Sequence, residues 1–346
     1  MNLSGITLIN DDSLNFIKTL PDNCIDLIAT DPPYFRVKDC GWDNQWNDVA
    51  AYLAWLDEML AEFWRVLKPN GSLYMFCGSR LASDTELLVR ERFNVLNHII
   101  WAKPSGPWCR QNKESLRAYF PATERIIFAE HYQGPYHPKG DGYFKQSREL
   151  KQSVFKPLID YFRDARKALG VTAKDINEAT GKQMASHWFG YSQWQLPNAE
   201  DYRKLQELFS RIAAEKRQNG ELNRPHDELI ASHLELSRRY EELSQEYGLL
   251  RRPFSVTVDV PYTDVWHFPP VQYYPGKHPC EKPAELMTHI IRSSSREGDV
   301  VADFFMGSGS TIKEALKLNR RVLGVELEEA RFKRTEQEIA NLRFSI

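Results

Sequence analysis

The stretch that most constrains the fold is a short apolar run that ends in two prolines. Residues 25–30 read Ile-Asp-Leu-Ile-Ala-Thr, which is too short for a stable helix and β-branched at both ends, so a buried parallel strand is predicted. Asp31-Pro32-Pro33-Tyr34 follows directly. Proline cannot donate to a strand ladder, so the strand must end in a stiff turn. This turn presents a carboxylate, the Pro32 carbonyl and an aromatic ring at the edge where open α/β sheets bind ligands.

Further strand and helix patterns alternate along the chain. We expect an amphipathic helix over 52–67 and a turn after it at Lys68-Pro69-Asn70-Gly71. Strands are expected at 6–10, 72–77, 94–101, 124–129, 254–260, 299–305 and 321–325. This rhythm predicts an α/β fold with a doubly wound, mostly parallel sheet. It disappears between about residues 150 and 252, where an all-helical insertion is predicted.

The composition is that of a globular protein without a global positive charge. Hydrophobic residues make up 42% of the 346 positions and the net charge is −2, so contact with nucleic acid would need a local positive surface. The 5 cysteines are scattered, without a Cys-x-x-Cys pair or metal-ligand spacing. This predicts reduced thiols, no metal site and a cytoplasmic location. No apolar run approaches the ~18 residues of a membrane span, and no signal peptide is recognisable.

The groups of the proline turn suit the exocyclic amino group of a nucleobase. Such a group has two N–H donors, and Asp31 and the Pro32 carbonyl are two acceptors. Tyr34 or Phe35 offers a face on which the base can stack. A base in a duplex must leave the stack to be read in this way. An ordinary strand-to-loop turn is the alternative interpretation, because Asp-Pro-Pro sequences also occur by chance.

A second candidate site is the glycine-rich turn Gly307-Ser308-Gly309-Ser310-Thr311, which lies between a predicted strand and a predicted helix. Such a turn lets the backbone approach a ligand and points amide groups at it. The spacing excludes a P-loop, since no lysine follows Gly309, and a dinucleotide fingerprint, since Ile312 replaces the third glycine. Glu326 ends the next strand, where a carboxylate can accept both hydroxyls of a ribose.

Three motifs resemble those of the S-adenosylmethionine-dependent DNA amino-methyltransferases, which modify adenine N6 or cytosine N4. They are the Asp-Pro-Pro-Tyr turn, the segment His278-Pro279-Cys280-Glu281-Lys282-Pro283, and the run 303–311 followed by Glu326. The resemblance implies a Rossmann-like methyltransferase fold, S-adenosylmethionine as cofactor and direct transfer without a covalent enzyme intermediate. It implies the catalytic residues Asp31, Pro32, Pro33 and Tyr34, and the cofactor-binding residues Asp12, Asp31, Lys282, Phe305, Gly307, Ser308, Gly309, Ser310 and Glu326.

The order of these motifs is that of the circularly permuted β class of the family. The strand that ends at Glu326 must then lie beside the strand that ends near Asp12, so both ends of the chain build the cofactor pocket. For Asp12 a helix N-cap role is equally open. The resemblance divides the chain into a catalytic half, 1–150, a helical target-recognition insertion, 151–252, and a cofactor-binding half, 253–346.

The first half of the insertion has a helix-turn-helix pattern. A helix ends at Gly170, Thr172 can cap a helix over 173–180, and a third helix, 183–191, follows the turn at Gly181. This stretch resembles phage-repressor-type domains and makes prophage-type adenine methyltransferases the nearest group. For this helical stretch, plain helical packing is the alternative to DNA reading. The basic segment 104–121 fits a loop that contacts phosphates, and a solvated surface loop is the alternative there. The candidate DNA-binding residues are Arg110, Lys113 and Arg117 in that loop, and Lys182, Gln183, Ser186 and His187 after Gly181.

These patterns and the resemblance predict an adenine-N6 methyltransferase that acts on double-stranded DNA. Asp31 at the first signature position favours adenine as a tendency, so cytosine N4 stays open. A helix-turn-helix DNA-binding protein with an inactive methyltransferase domain is a further alternative, against which the intact Asp31, Gly307, Gly309 and Glu326 argue. A monomer and a homodimer are both compatible with the sequence, which specifies neither a recognition site nor a companion restriction enzyme.

Overall fold

The computed structural model describes residues 5–35, 45–103, 114, 117, 119, 121–131, 143–191, 193–249, 251–256 and 263–343. The chain forms two compact units. One consists of Met1–Asp141 together with Arg252–Ile346, and the other is Gly142–Arg251. No helix in the described part of the chain has the length and apolar character needed to cross a membrane.

Among the described residues, the first unit contains both strands and helices, and the second contains helices and no strand. The strands are β1 (Ile6–Asn10), β2 (Ile25–Thr30), β3 (Leu67–Cys77), β4 (Asn94–Ala102), β5 (Thr123–Glu130), β6 (Val265–His267), β7 (Val300–Asp303) and β8 (Arg321–Glu326). The helices are α1 (Ser13–Ile17), α2 (Val49–Val66), α3 (Ala82–Arg90), α4 (Tyr143–Leu169), α5 (Ala173–Thr180), α6 (Ala185–Trp188), α7 (Ala199–Lys216), α8 (His226–Leu249), α9 (Ala284–Ser294), α10 (Ser310–Lys317) and α11 (Glu329–Arg343).

Within the described residues, one eight-stranded sheet organises the first unit, in the order β1-β8-β7-β2-β3-β5-β4-β6. The pairs β1–β8, β8–β7, β7–β2, β2–β3 and β4–β6 are parallel. β5 runs antiparallel to both of its neighbours, β3 and β4. The predicted doubly wound, mostly parallel sheet is therefore confirmed, and β5 is its exception.

The first and last strands of the chain lie side by side, as the permuted motif order predicts. β1 pairs with β8 from Ile6 opposite Val322 to Asn10 opposite Glu326. The amide of Asn10 also donates to the backbone carbonyls of Glu326, at 2.8 Å, and of Leu327, at 3.1 Å. The segment after β1 and the end of β8 thus share one edge of the sheet.

The sheet is covered on both faces, which explains why β2 is buried throughout. Its residues are all buried, and they alternate between two cores: Ile28 packs on one face, and Leu27 and Ala29 pack on the other. α1, α2 and α3 cover the first face, and α9, α10 and α11 cover the second. The predicted apolar face of α2 is confirmed, since each of its members is buried: Tyr52, Leu56, Met59, Leu60, Phe63 and Val66.

Some strand boundaries differ from the sequence prediction. Residues 68–71, expected to form a turn, belong to β3, where they lie at a register shift: β2 pairs Ile25 with Leu67 and then Leu27 with Ser72. β7 ends at Asp303, before Phe305. Residues 254–256 are not in a strand, and the rest of that predicted strand lies outside the described residues. β6 was not predicted, because three residues amid prolines show no alternation.

The helical unit confirms two of the three predicted helix-turn-helix elements. α4 ends before Gly170, and α5 spans the predicted residues with a capping box between Thr172 and Asp175. Such a cap contributes about 1 kcal/mol. The helix predicted over 183–191 is only the single turn α6. It begins late because the Asn177 carboxamide oxygen accepts from the Ala185 amide at 3.1 Å.

Candidate functional site

A cavity of about 300 Å³ lies at the edge of the sheet where the parallel strands end, within the size range of small-molecule sites. It forms there because β2, β7, β8 and β1 are neighbours in the sheet and all carry their following loops on this edge. Most of the predicted site residues line it, namely Asp12, Asp31, Pro32, Pro33, Tyr34, Lys282, Phe305, Gly307 and Glu326. Ser308 and Ser310 line a smaller adjoining cavity that also includes Asp31, Lys282 and Gly307.

Hydrogen bonds from two tyrosine hydroxyls fix the turn after β2. The Tyr52 hydroxyl of α2 donates to the Pro33 carbonyl at 2.9 Å. The Tyr34 hydroxyl donates to Asp31 Oδ1, so the ring and the carboxylate of the turn orient each other. Phe35 has a φ of 53° and is buried beside Tyr52, with 5.7 Å between the ring centroids. Phe35 therefore packs in the core, and of the two candidate stacking rings Tyr34 is the one at the cavity.

A cluster of charged side chains surrounds Asp31. The Lys282 ammonium contacts Asp31 Oδ2 and lies 3.5 Å from Glu124 Oε2, and its side chain is 9% exposed. Lys103 contacts the other oxygen of Glu124. Cation–π contacts place Lys282 5.0 Å from the Phe76 ring centroid. Lys282 therefore faces the catalytic turn instead of solvent.

The charges of this cluster shift one another's protonation. Burial raises the pKa of Asp31 above its usual value, and Lys282 opposes that rise. Burial also acts to raise the pKa of Glu124, but the ammonium groups of Lys282 and Lys103 outweigh it and hold the pKa below its usual value. Burial acts to lower the pKa of Lys282, but Asp31 and Glu124 hold the pKa above the ordinary lysine value. Lys282 is thus kept cationic between two carboxylates.

The loop after β7 is held by hydrogen bonds from its own neighbours. Gly307 and Gly309 have φ values of 48° and 73°, which favour glycine. Glu326 accepts from the Gly307 amide and from the Glu328 amide, both at 2.9 Å. Thr335 donates to the Gly307 carbonyl at 2.8 Å. The loop is therefore preorganised, and the Glu326 carboxylate at the end of β8 lines the cavity beside it.

Two aspartates, Asp12 after β1 and Asp303 at the end of β7, form hydrogen bonds at this edge of the sheet. Asp12 accepts from the Asn15 amide at 3.0 Å, which makes it the N-cap of α1 while it also lines the cavity. The two roles considered for Asp12 are therefore geometrically compatible. Asp303, at the end of β7, accepts from Thr30 at 2.8 Å and from Thr311 at 2.7 Å. It ties β2, β7 and α10 together beneath the cavity.

Those predicted DNA-binding residues that the structure describes do not line this cavity. Arg110 and Lys113 lie outside the described residues, and Arg117 is exposed. The other four lie in the helical unit. Lys182 pairs with Asp201 at 2.7 Å, the carboxamide oxygen of Gln183 accepts from Asn177 at 2.8 Å, and Ser186 and His187 contact each other at 3.3 Å.

Glu124 and Lys103 are site residues that the sequence analysis missed. Both line the cavity with Asp31. Glu124 stands near the start of its strand, and in a parallel strand that end would lie at the opposite edge of the sheet. Because β5 is antiparallel, its start lies at the ligand edge. The strand's direction was the missing signal, and the sequence of β5 alone does not encode it.

Fold and site together define a Rossmann-like transferase with its ligand cavity at the strand ends. The chain belongs to the N6_N4_Mtase family of DNA methylases, whose family model matches residues 25–337. It is 25% identical over 326 residues to the DNA adenine methyltransferase YhdJ of Escherichia coli K12, covering 93% of this chain and 78% of that protein. It is 24% identical over 349 residues to the type II methyltransferase M2.DpnII of Streptococcus pneumoniae, covering 95% and 87%.

Solved structures share the fold. PvuII DNA methyltransferase, which is cytosine-N4-specific, superposes with a TM-score of 0.50 at 14% identity and covers 98% of this chain and 91% of that one. At this identity the likeness concerns the architecture alone.

S-adenosylmethionine is the methyl donor of this enzyme, as of its family. The residues present fit it. Two carboxylates, Asp12 and Glu326, face one cavity from adjacent strand ends, where they suit the amino and hydroxyl donors of an adenosine. The glycine loop between them places backbone next to the same space without side-chain bulk.

Proposed function

We propose that this protein transfers a methyl group from S-adenosylmethionine to the N6 amino group of an adenine flipped out of double-stranded DNA. One observation carries the proposal: Asp31 and Gly307 line one cavity at the ends of the neighbouring strands β2 and β7, although they are 276 positions apart in the chain. Family membership supports methylation of a base amino group. The similarity to YhdJ, named as a DNA adenine methyltransferase, supports adenine over cytosine.

The catalytic turn would hold the target amino group. Asp31 and the Pro32 carbonyl accept its two hydrogens and so direct the nitrogen lone pair toward the cofactor side of the cavity. Tyr34 provides the face against which the extruded base stacks, and its hydroxyl bond to Asp31 fixes the ring direction. When bound, the cofactor supplies an electrophilic methyl group on a sulfonium. Rate acceleration then comes from positioning, and the nitrogen can lose its proton after transfer.

The cofactor would be held by the glycine loop and by the polar residues around it. Asp12 and Glu326 suit the adenosine part, with Phe305 as an apolar wall. Lys282 stands between the catalytic turn and the loop at the methionine side. The remaining contacts are assigned to Asp31, Gly307, Ser308, Gly309 and Ser310.

The helical unit, residues 151–252 in the sequence-based division, would recognise the DNA target. Lys182, Gln183, Ser186 and His187 follow the turn at Gly181, and Arg110, Lys113 and Arg117 would contact phosphates from the first unit. The shortness of α6 favours contacts from the turn itself over a long groove-binding helix. Cys24 and Cys77 are free thiols, which supports a reducing, cytoplasmic location.

Expression in methylation-free cells, followed by modified-base sequencing, tests this function. Wild-type protein should produce N6-methyladenine, and Asp31→Ala should abolish it while the protein stays folded. Asp22→Ala is the matched control, because Asp22 is a surface carboxylate paired with Arg65 at 2.8 Å. N4-methylcytosine in place of N6-methyladenine would reassign the base, and full activity of Asp31→Ala would refute the mechanism.

A further inference from the structure

Four polar side chains at the catalytic turn form a closed ring. Asp31 receives the Tyr34 hydroxyl on Oδ1 and the Lys282 ammonium on Oδ2. Both donors also face a single oxygen of Glu124: Oε2 lies 3.4 Å from the Tyr34 hydroxyl and 3.5 Å from the Lys282 nitrogen. Lys103 holds the other oxygen, Oε1. The single hydroxyl proton of Tyr34 goes to Asp31 over the shorter contact, so Asp31 and Glu124 share the Lys282 ammonium and both border the Tyr34 oxygen.

We propose that Glu124 is a positioning residue for methyl transfer, which acts by binding the Lys282 ammonium together with Asp31 and by bordering the Tyr34 hydroxyl that Asp31 accepts. The ring fixes the direction of the Asp31 carboxylate and the orientation of the Tyr34 ring before any substrate arrives. The inference rests on the proposed use of Asp31 in methyl transfer to DNA, but it does not depend on which base is modified.

The charge balance of the cluster supports this role. Two carboxylates, Asp31 and Glu124, alternate with two ammonium groups, Lys282 and Lys103, so the formal charges cancel. The side chains of Asp31 and Glu124 are each 19% exposed, so their interactions are only partly screened by solvent. Without the Glu124 charge, Lys282 is attracted to Asp31 alone and Lys103 loses its partner. The Asp31 carboxylate is then held more tightly by Lys282 and competes less well for the target amino group.

Glu124 acts through its neighbours because its own oxygens are engaged. Oε1 faces Lys103, and Oε2 faces both Tyr34 and Lys282. The Tyr34 hydroxyl lies between the two carboxylates, so it is the link through which a change at Glu124 reaches the stacking ring. A second catalytic acceptor, in contact with the substrate, would instead contribute independently of Tyr34.

A double-mutant cycle separates these two roles. Single-turnover transfer of tritiated methyl groups to duplex DNA is measured for Tyr34→Phe, Glu124→Gln and the double variant, with counts summed over all bases. We expect each single change to slow transfer roughly ten- to hundredfold, since small misplacements at a reacting centre have effects of this size. The double variant should be no more than about threefold slower than the slower single variant, because both changes break one ring.

Glu86→Gln is the matched control. Glu86 is a carboxylate of the same unit, paired with Arg90 and at 2.6 Å from His98, and it does not line the cavity. Glu86→Gln should leave the rate of methyl transfer within about twofold of wild type, and its effect on that rate should multiply with the effect of Tyr34→Phe. An unchanged melting temperature and an unchanged affinity for S-adenosylhomocysteine should show that Glu124→Gln is folded.

A second readout needs no DNA. Glu124→Gln leaves the cluster with one excess positive charge, so calorimetry should show weaker binding of cationic S-adenosylmethionine relative to its neutral thioether product, by about tenfold. Three outcomes would each overturn the role of Glu124. They are methyl transfer by Glu124→Gln within twofold of wild type, rate losses of the two single variants that multiply in the double variant, and an unchanged ratio of the affinities for S-adenosylmethionine and its product. A wild-type enzyme that modifies cytosine would correct the proposed base and leave this test intact.

Discussion

The ammonium of Lys282 contacts the carboxylate of Asp31, although the two residues are 251 positions apart in the chain. The His-Pro-x-x-Lys-Pro segment before α9 and the Asp-Pro-Pro-Tyr turn after β2 therefore form a single charged site. Burial raises the pKa of the Asp31 carboxyl, and Lys282 opposes this rise. The protonation state of the catalytic turn thus depends on a residue from the opposite end of the sequence.

Replacing Lys282 should change the pH dependence of catalysis. In Lys282→Met, burial and Glu124 raise the pKa of Asp31 against only the smaller effect of the Tyr34 hydrogen bond, so the carboxyl is protonated at higher pH and accepts the target amino group less well. We expect kcat at pH 7 to fall tenfold or more, and the acidic limb of the kcat–pH profile to move to higher pH. Lys333→Met, which removes an exposed partner of Glu329, is the control. An unshifted acidic limb would contradict the electrostatic role of Lys282.

The buried carboxyl of Asp303 should make stability fall as pH rises. Burial raises its pKa from 3.8 to about 6, against the hydrogen bonds from Thr311 and Thr30. The folded state therefore favours the protonated form, whose contribution is complete below the unfolded value and is lost as pH rises through about 6. Relative to Asp303→Asn, the wild-type free energy of unfolding should decrease by on the order of 2–3 kcal/mol across this window.

Urea unfolding of both proteins between pH 4 and pH 7 measures this difference directly. Taking the difference between wild type and variant removes the titration of groups that the two proteins share. A difference that stays constant over the range would show that Asp303 titrates alike in the folded and unfolded states.

Adding a methyl group at Gly309 should disrupt the cofactor loop. Gly309 has a φ of 73°, and a Cβ there would lie 2.6 Å from Thr335 Cγ2. We expect Gly309→Ala to weaken S-adenosylmethionine binding and to lower the free energy of unfolding by about 2–3 kcal/mol. Gly298→Ala is the matched control, since Gly298 has a φ of 79° and open space around its Cβ position. Equal effects of the two variants on cofactor affinity, measured by calorimetry, would exclude a special role for the loop.

The residues after Gly181 should contribute to DNA affinity. Changing Lys182, Gln183 and His187 together to alanine should weaken duplex binding about tenfold or alter the preferred site, and should reduce the salt dependence. Lys182→Ala also removes the partner of the buried Asp201, so the pair Gln183→Ala and His187→Ala tests the surface with that ion pair intact. Lys174→Ala, at an exposed position of α5, is the control. Unchanged affinity and site preference would remove DNA reading from this surface.

Local patterns predicted those features that depend on a segment's own residues. The run 25–30 is a strand because all its side chains are apolar or covered, and the face of α2 follows from helical spacing. The motif order predicted that the ends of β1 and β8 would meet, since both must reach one ligand. Features of this kind can be predicted from the sequence because each is specified within one stretch of sequence or by one shared function.

Features that depend on distant partners were missed. Nothing within β5 specifies its direction, which is set by pairing with β3 and β4, and Glu124 was therefore not expected at the site. β6 is three residues long and exists because β4 offers it an edge. α6 is a single turn whose first amide, that of Ala185, donates to the Asn177 carboxamide, a partner eight positions away that its own sequence does not reveal.

The pairing of β1 with β8 also has a consequence for synthesis on the ribosome. β1 is an edge strand of the described sheet, and β8 is its neighbour there. A nascent chain that has not yet been translated beyond Arg321 therefore holds Ile6–Asn10 without the strand to which it belongs. The cavity at the ends of these strands can close only after β8 has emerged, so a polypeptide that stops before β8 should be unable to retain its methyl donor.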